Sequence, residues 1–235
     1  MSIIVTVKEQ QLIDFSTVLA AAVHDMKSSL NLLQQSIDGL NKTIEPENRA
    51  AQQLLSNAHY ESSRLNTGLV QLLSLYRAEM ESLPINEDEC FIDDLLENIF
   101  ITHEHYLGHK NMTLEIEQTP GLVRYLDQDL IHLLLNDILV NAIRYGSSKL
   151  LVSAYEEDDW LFIKVEDDGE GYPSKMLVNN KIEMQDIKLV NGRTGLGIFF
   201  ARLIASAHRR GDKKGEILLS NGGTLGGSVF TLKLP

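Results

Sequence analysis

The sequence contains a single cysteine, Cys90, so no disulfide can form within the chain. It also lacks a basic excess. Its 33 acidic residues against 21 basic ones give a formal charge of -12, which excludes the extended positive field that attracts nucleic acid or an anionic membrane surface. Long apolar runs are missing as well. The nearest approach, "LIHLLLNDILV", is broken by Asn136 and Asp137, well short of the roughly 18 apolar residues that suggest a transmembrane helix. The start, "MSIIVTVKEQQ", has no basic stretch followed by an apolar core of the signal-peptide kind. These absences read together as a cytoplasmic protein with no nucleic-acid partner and no direct membrane insertion. What is present is ordinary globular material: 235 residues, 43% hydrophobic and 23% charged, enough for one or two domains with a real core.

The first third carries helical periodicity. Apolar or small residues recur at Phe15, Leu19, Ala22, Met26, Ser29, Leu33, Ile37 and Leu40 in alternating steps of four and three. "NKTIEPENR" breaks the pattern at Pro46. A second seam follows at Ala51, Leu55, Ala58, Ser62, Leu65, Leu69, Leu72, Tyr76 and Met80. Two long helices joined by a short loop make an antiparallel hairpin, and a lone hairpin cannot cover both apolar stripes. A homodimeric four-helix bundle is the expected solution.

"SLPINEDEC" ends this texture at Pro84, placing one domain at 1–84 and another at 85–235. In the second, residues 91–109 and 127–146 read as helices. "MTLEIEQ", "KLLVSAYEE", "WLFIKVED", "GEILLSN" and "SVFTLKLP" read as strands, mainly antiparallel. The fold class expected is α+β, the helical hairpin followed by an α/β sandwich with one sheet covered on one face.

Four stretches carry chemistry. In "AAAVHDMKSSLNLL", His24 lies about 200° from the seam residues Ala22 and Met26 at roughly 100° per residue, so it faces away from the bundle core. Asp25 can accept from imidazole Nδ1, fixing the tautomer and leaving Nε2 as a nucleophile. In "LLLNDILVNAIRYG", Asp137, Asn141, Arg144 and Tyr145 share a helix face, and the oxygens of Asp137 and Asn141, four residues apart, could hold Mg²⁺ and its water. In "VEDDGEGYP", a strand runs into Asp167 and Asp168, where Gly169 and Gly171 permit a sharp turn and close approach of a planar ligand. In "GRTGLGIFFARLIA", a glycine-rich turn opens an apolar helix whose N-terminus suits phosphate.

In that order and spacing, the chain resembles the catalytic core of a two-component sensor histidine kinase over about residues 10–235. "HDMKSSL" resembles the H box, "NDILVNAIRY" the N box, "DDGEG" the G1 box, "GRTGLGI" the G2 box and "GGSVFTLKLP" the closing strand. The resemblance implies a Bergerat-type (GHKL) ATPase fold for the second domain, with ATP and Mg²⁺ as cofactors. By the family pattern His24 would be the phosphoacceptor, Asp25 its acid-base partner and Lys27 a holder of phosphate charge. Asn141 would coordinate Mg²⁺, Arg144 would reach the phosphates and Tyr145 would lie near the nucleotide. Asp167 would accept from the adenine amino group in a pocket shaped by Gly169 and Gly171. Thr194, Gly195, Leu196 and Gly197 would close a lid spanning roughly Tyr172 to Arg193 and start the phosphate-facing helix. The implied activity is autophosphorylation on His24 and transfer to an aspartate of a response regulator receiver domain.

The sequence departs from the family in places. Ser29 replaces the usual H-box proline, so the helix is expected to lack that kink. Ser28 stands where many relatives carry the Thr or Asn of phosphatase action. Asp137 replaces the first N-box Asn; it can activate water or serve the metal, and a carboxylate beside Mg²⁺ should stay ionised, which favours the metal. No F box is visible between Tyr172 and Arg193. If the chain is whole, its short leader leaves sensory input to a separate sensor protein. Two other readings stay in view: a phosphotransfer or docking module phosphorylated by another kinase, and a GHKL-type ATPase. "HEHYLGH", with His103, His105 and His109, is not HExxH and reads as a polar helix end rather than a zinc site. Trp160 reads as sheet packing, and Cys90 has no special role.

Overall fold

In a computed structural model the described residues are 15–41, 43–45, 48, 50–55, 57–58, 61–62, 65, 68–69, 83, 85–178 and 196–235. Only the backbone is described for residues 15–24 and for several others inside helices, Lys27, His105, His109 and Leu196 among them.

Helix α1 runs Phe15–Asn41 without interruption. Ser29, at the position of the family's proline, keeps the backbone N–H that proline lacks, so the helix passes through unbroken, and its hydroxyl donates to the Asp25 carbonyl at 3.0 Å. The described residues from 50 to 69 are helical too, and Leu33, Ile37, Leu40, Leu55 and Leu65 line one groove with them. Ile37 and Leu55 are buried there, while Leu33, Leu40 and Leu65 are exposed.

The second part follows the expected pattern closely. It comprises β1 (Asp88–Phe91), α2 (Ile92–Lys110), β2 (Thr113–Gln118), β3 (Val123–Leu126), α3 (Gln128–Tyr145), β4 (Lys149–Glu157) and β5 (Trp160–Asp167). It continues with α4 (Ser174–Val178), α5 (Leu196–Ala207), β6 (Arg209–Arg210), β7 (Lys213–Lys214), β8 (Glu216–Asn221) and β9 (Ser228–Leu234). The main sheet has the order β2-β4-β5-β9-β8; β2 and β4 are parallel and every other neighbour is antiparallel. β1 and β3 form a separate antiparallel ribbon and β6 and β7 a short hairpin, neither of which the sequence pattern announced.

Strand alternation explains why only one face needs covering. The register aligns Leu150 and Val152 of β4, Leu161, Ile163 and Val165 of β5, Phe230, Leu232 and Leu234 of β9, and Ile217 and Leu219 of β8 on one face. All are buried in a core against α2, α3 and α5. Fully burying one such side chain stabilises by roughly 1.5–3 kcal/mol. The other face carries Tyr155 stacked on Phe162, and Lys233 over the Trp160 ring at 4.2 Å while bonding Glu216 at 3.0 Å. Trp160 is sheet packing, as expected.

Candidate active site

Helix α3 brings the polar residues to the site. Asp127 caps it, Oδ1 accepting from the Leu130 N–H at 3.0 Å. Ile131, Leu134, Leu135, Ile138, Leu139, Ala142 and Ile143 are its buried stripe, which leaves Asp137 and Asn141 half-buried and Arg144 and Tyr145 exposed. The Asn141 amide nitrogen donates to the Asp137 carbonyl at 2.8 Å, leaving Oδ1 with no hydrogen-bond partner among the described residues. That oxygen is a hard donor of the type Mg²⁺ takes, so the donor set here fits such an ion. The Arg144 guanidinium lies over the Tyr145 ring, 5.4 Å from its centroid.

The end of α3 meets the end of β5. Asp167 is 4% exposed, and its Oδ1 accepts from the N–H groups of Gly169 (2.8 Å) and Ser228 (3.1 Å). Oδ2 has no hydrogen-bond partner among the described residues. Gly169 lies so close to the Tyr145 carbonyl that a Cβ would collide with it, and a Cβ on Gly227 would collide with the Asp167 carbonyl. Gly171 needs its glycine for a different reason, a φ of +83°. The result is a buried carboxylate with one oxygen fixed and one available, walled by bare backbone.

Asp168, its neighbour, does other work. It accepts from the Ser147 N–H at 2.8 Å, the Ser148 N–H at 2.9 Å and the Ser148 hydroxyl at 2.7 Å, tying β5 to the loop before β4. Burial works against its charge, but the Ser148, Lys149 and Ser147 donors prevail and hold it well below the usual carboxylate range.

Two further supports were not visible in the sequence. The Asn221 side chain exchanges two hydrogen bonds with the Tyr172 backbone, at 2.7 and 2.9 Å, clamping the turn after Gly171 to β8. Glu166 is buried and accepts from the Thr224 N–H at 2.7 Å, folding the β8–β9 loop so that Gly227 reaches Asp167. Asn221 follows an alternating strand, and that place at a strand end is the one signal that could have found it.

The remaining expected residues divide. Leu196 opens α5 and Gly197 is half-buried in its first turn, while Thr194, Gly195 and residues 179–193 of the expected lid lie outside the described residues. Asp25 is exposed on α1; the His24 backbone is helical and its side chain lies outside the described residues. His103 is buried with Nε2 2.7 Å from Asn136 Oδ1, a contact between α2 and α3. Among the described residues no three His, Cys, Asp or Glu side chains gather as metal ligands, and the His105 and His109 side chains are not among them. Among the described residues, no helix is long and apolar enough to cross a membrane.

This arrangement defines a class. Residues 126–235 match the family described as histidine kinase-, DNA gyrase B-, and HSP90-like ATPase. The Sensor protein SrrB of Staphylococcus aureus is 26% identical over 226 residues, covering 92% of this chain and 37% of its own length. The chain thus spans less than two fifths of the curated relatives it matches. The solved histidine kinase AdeS of Acinetobacter baumannii shares 25% identity with a TM-score of 0.57, covering 90% of this chain and 96% of that one. Full-length ShkA in complex with AMPPNP has a TM-score of 0.62 at 18% identity, covering 94% of this chain and 46% of that one, a likeness of fold. Residues 126–235 carry a domain of that ATPase family, and the comparisons together support a histidine kinase catalytic core.

Proposed function

We propose that the chain is an ATP-dependent protein-histidine kinase that phosphorylates its own His24 and passes the group to an aspartate on a response regulator. The observation that carries this reading is the meeting of Asp167, its Oδ2 available, with the Asn141, Arg144 and Tyr145 end of α3 around a backbone-walled turn. A planar base with an exocyclic amino group fits that carboxylate, and a phosphate chain then runs toward Arg144 and the start of α5. The AMPPNP bound to ShkA supports a nucleotide in this fold.

Asp167 orients the base, Arg144 balances phosphate charge, and Asn141 Oδ1 is the ligand for Mg²⁺, which supplies further charge neutralisation when bound. In the reaction the His24 Nε2 lone pair forms a bond to the γ-phosphorus as the bond to the ADP oxygen breaks. The Nδ1 proton passes to Asp25, leaving phosphohistidine and ADP. Positioning supplies most of the rate, since there is little covalent chemistry for the protein to do.

A homodimer belongs to this reading. The exposed Leu33, Leu40 and Leu65 leave the hairpin groove open to a second copy that completes a four-helix bundle. We take 1–84 as the dimerisation and phosphotransfer unit and 85–235 as the catalytic unit, at work in the cytoplasm.

Incubation with γ-labelled ATP and Mg²⁺ should give an acid-labile, base-stable phosphoprotein, and His24→Gln should abolish labelling while nucleotide binding persists. Labelling that survives His24→Gln overturns the assignment. Absence of nucleotide binding favours a docking module instead.

A further inference from the structure

The pole of the domain opposite Asn141 holds a buried polar knot that the proposed chemistry leaves unused. His208 follows the last residue of α5 and is 2% exposed. Its Nδ1 is 2.9 Å from the Ile204 carbonyl and therefore donates, while Nε2 accepts the Asp127 backbone N–H at 3.0 Å. Asp127 is itself buried and caps α3 through Oδ1. Its other oxygen, Oδ2, accepts the N–H of Asn86 at 2.9 Å, in the segment that leads from the helical hairpin into β1. The His208 carbonyl takes the N–H of Gly215, so the chain leaving α5 is pinned on both sides of the ring.

We infer that His208 is a positioning residue, the pin through which the 85–87 segment, the head of α3 and the tail of α5 move as one piece. The nucleotide-facing parts of both helices lie at their other ends, at Asn141–Tyr145 and at Leu196–Gly197. Nucleotide binding at those ends therefore restrains the segment joining the domain to the hairpin. The direction in which the domain is presented to His24 is set at this knot. Its consequence for phosphorylation rests on the kinase reading; its mechanical content does not.

The test uses the full chain as wild type, His208→Ala, His208→Gln and Asn86→Pro. Gln keeps an acceptor for the Asp127 N–H, and proline removes the Asn86 donor at an exposed position outside any helix or strand. Three quantities are read: affinity for an ATP analogue, amide exchange over 85–87 with and without it, and the rate of His24 labelling. The wild type should show nucleotide-dependent protection over 85–87. His208→Ala should hold nucleotide affinity within roughly twofold while losing that protection and labelling roughly tenfold more slowly, a kcat effect without a KM effect. Asn86→Pro should match it, and His208→Gln should retain both properties. Unchanged protection and labelling in His208→Ala, or affinity and rate falling together as for a merely structural residue, overturns the inference. A wild type that binds nucleotide and protects 85–87 but never labels His24 upholds the knot and overturns the kinase reading. A wild type that binds no nucleotide overturns both.

Discussion

Asn221 holds Tyr172 by its backbone, accepting from its N–H at 2.7 Å and donating to its carbonyl at 2.9 Å, across 49 residues of sequence. The side-chain amide thus acts as one rung of a sheet where no strand exists. The clamp fixes where the glycine turn stops and the chain toward α4 begins. Asn221→Ala removes both bonds. It should cost about 1 kcal/mol in a urea titration and weaken ATP-analogue binding several-fold.

Asp167→Asn separates structure from recognition. The new amide oxygen still accepts from Gly169 and Ser228, so the melting temperature should change little. The second position becomes a donor facing the donor of an adenine amino group. Nucleotide affinity should drop between about tenfold and a hundredfold by fluorescence titration. Unchanged affinity would remove Asp167 from the base pocket.

Gly227→Ala tests the packing of the β8–β9 loop on β5. Its Cβ has to displace the Asp167 backbone, which is buried at the end of β5 and does not yield cheaply. A loss of roughly 2 kcal/mol is expected on chemical denaturation, with nucleotide binding lost in proportion to the unfolded fraction.

His132 sets a pH dependence. Burial lowers its pKa from the ordinary histidine value, with Asp129 pulling the other way. The unfolded chain therefore binds the proton more readily than the folded one. Stability from this group is complete above the unfolded pKa, about 6.5, and declines as the pH drops below it. Urea midpoints measured between pH 7.5 and 5.5 should fall less steeply in His132→Gln than in the wild type.

How much of this could be read in advance depended on how local the cause was. β4, β5 and β9 showed because alternation runs seven to nine residues with β-branched or aromatic members in each. Helix α3 showed because its apolar stripe is long. The β1–β3 ribbon did not, because each strand has four residues and its partner lies more than thirty positions away, so no period accumulates. The β6–β7 hairpin is all cationic, which reads as a solvated turn. In the site, Gly169 and Gly171 were legible as a turn after a strand. Gly227 was not, because what demands a glycine there is the Asp167 backbone, sixty positions earlier in the chain. By residue type the two aspartates look equivalent in "VEDDGEG"; the family resemblance singles out Asp167, and the tertiary neighbours show what Asp168 does instead, binding the two serines.

The eighteen-residue length of α3 has a mechanical consequence. At 1.5 Å per residue it is a rod of about 27 Å, fastened at Asp127 and carrying Tyr145 at its tip. A lever of that length magnifies: a tilt of about 3° at the fastened end carries the tip roughly 1.4 Å, enough to move a reacting group out of line. Under the kinase reading the helix serves as a pointer whose accuracy is decided at the Asp127 end.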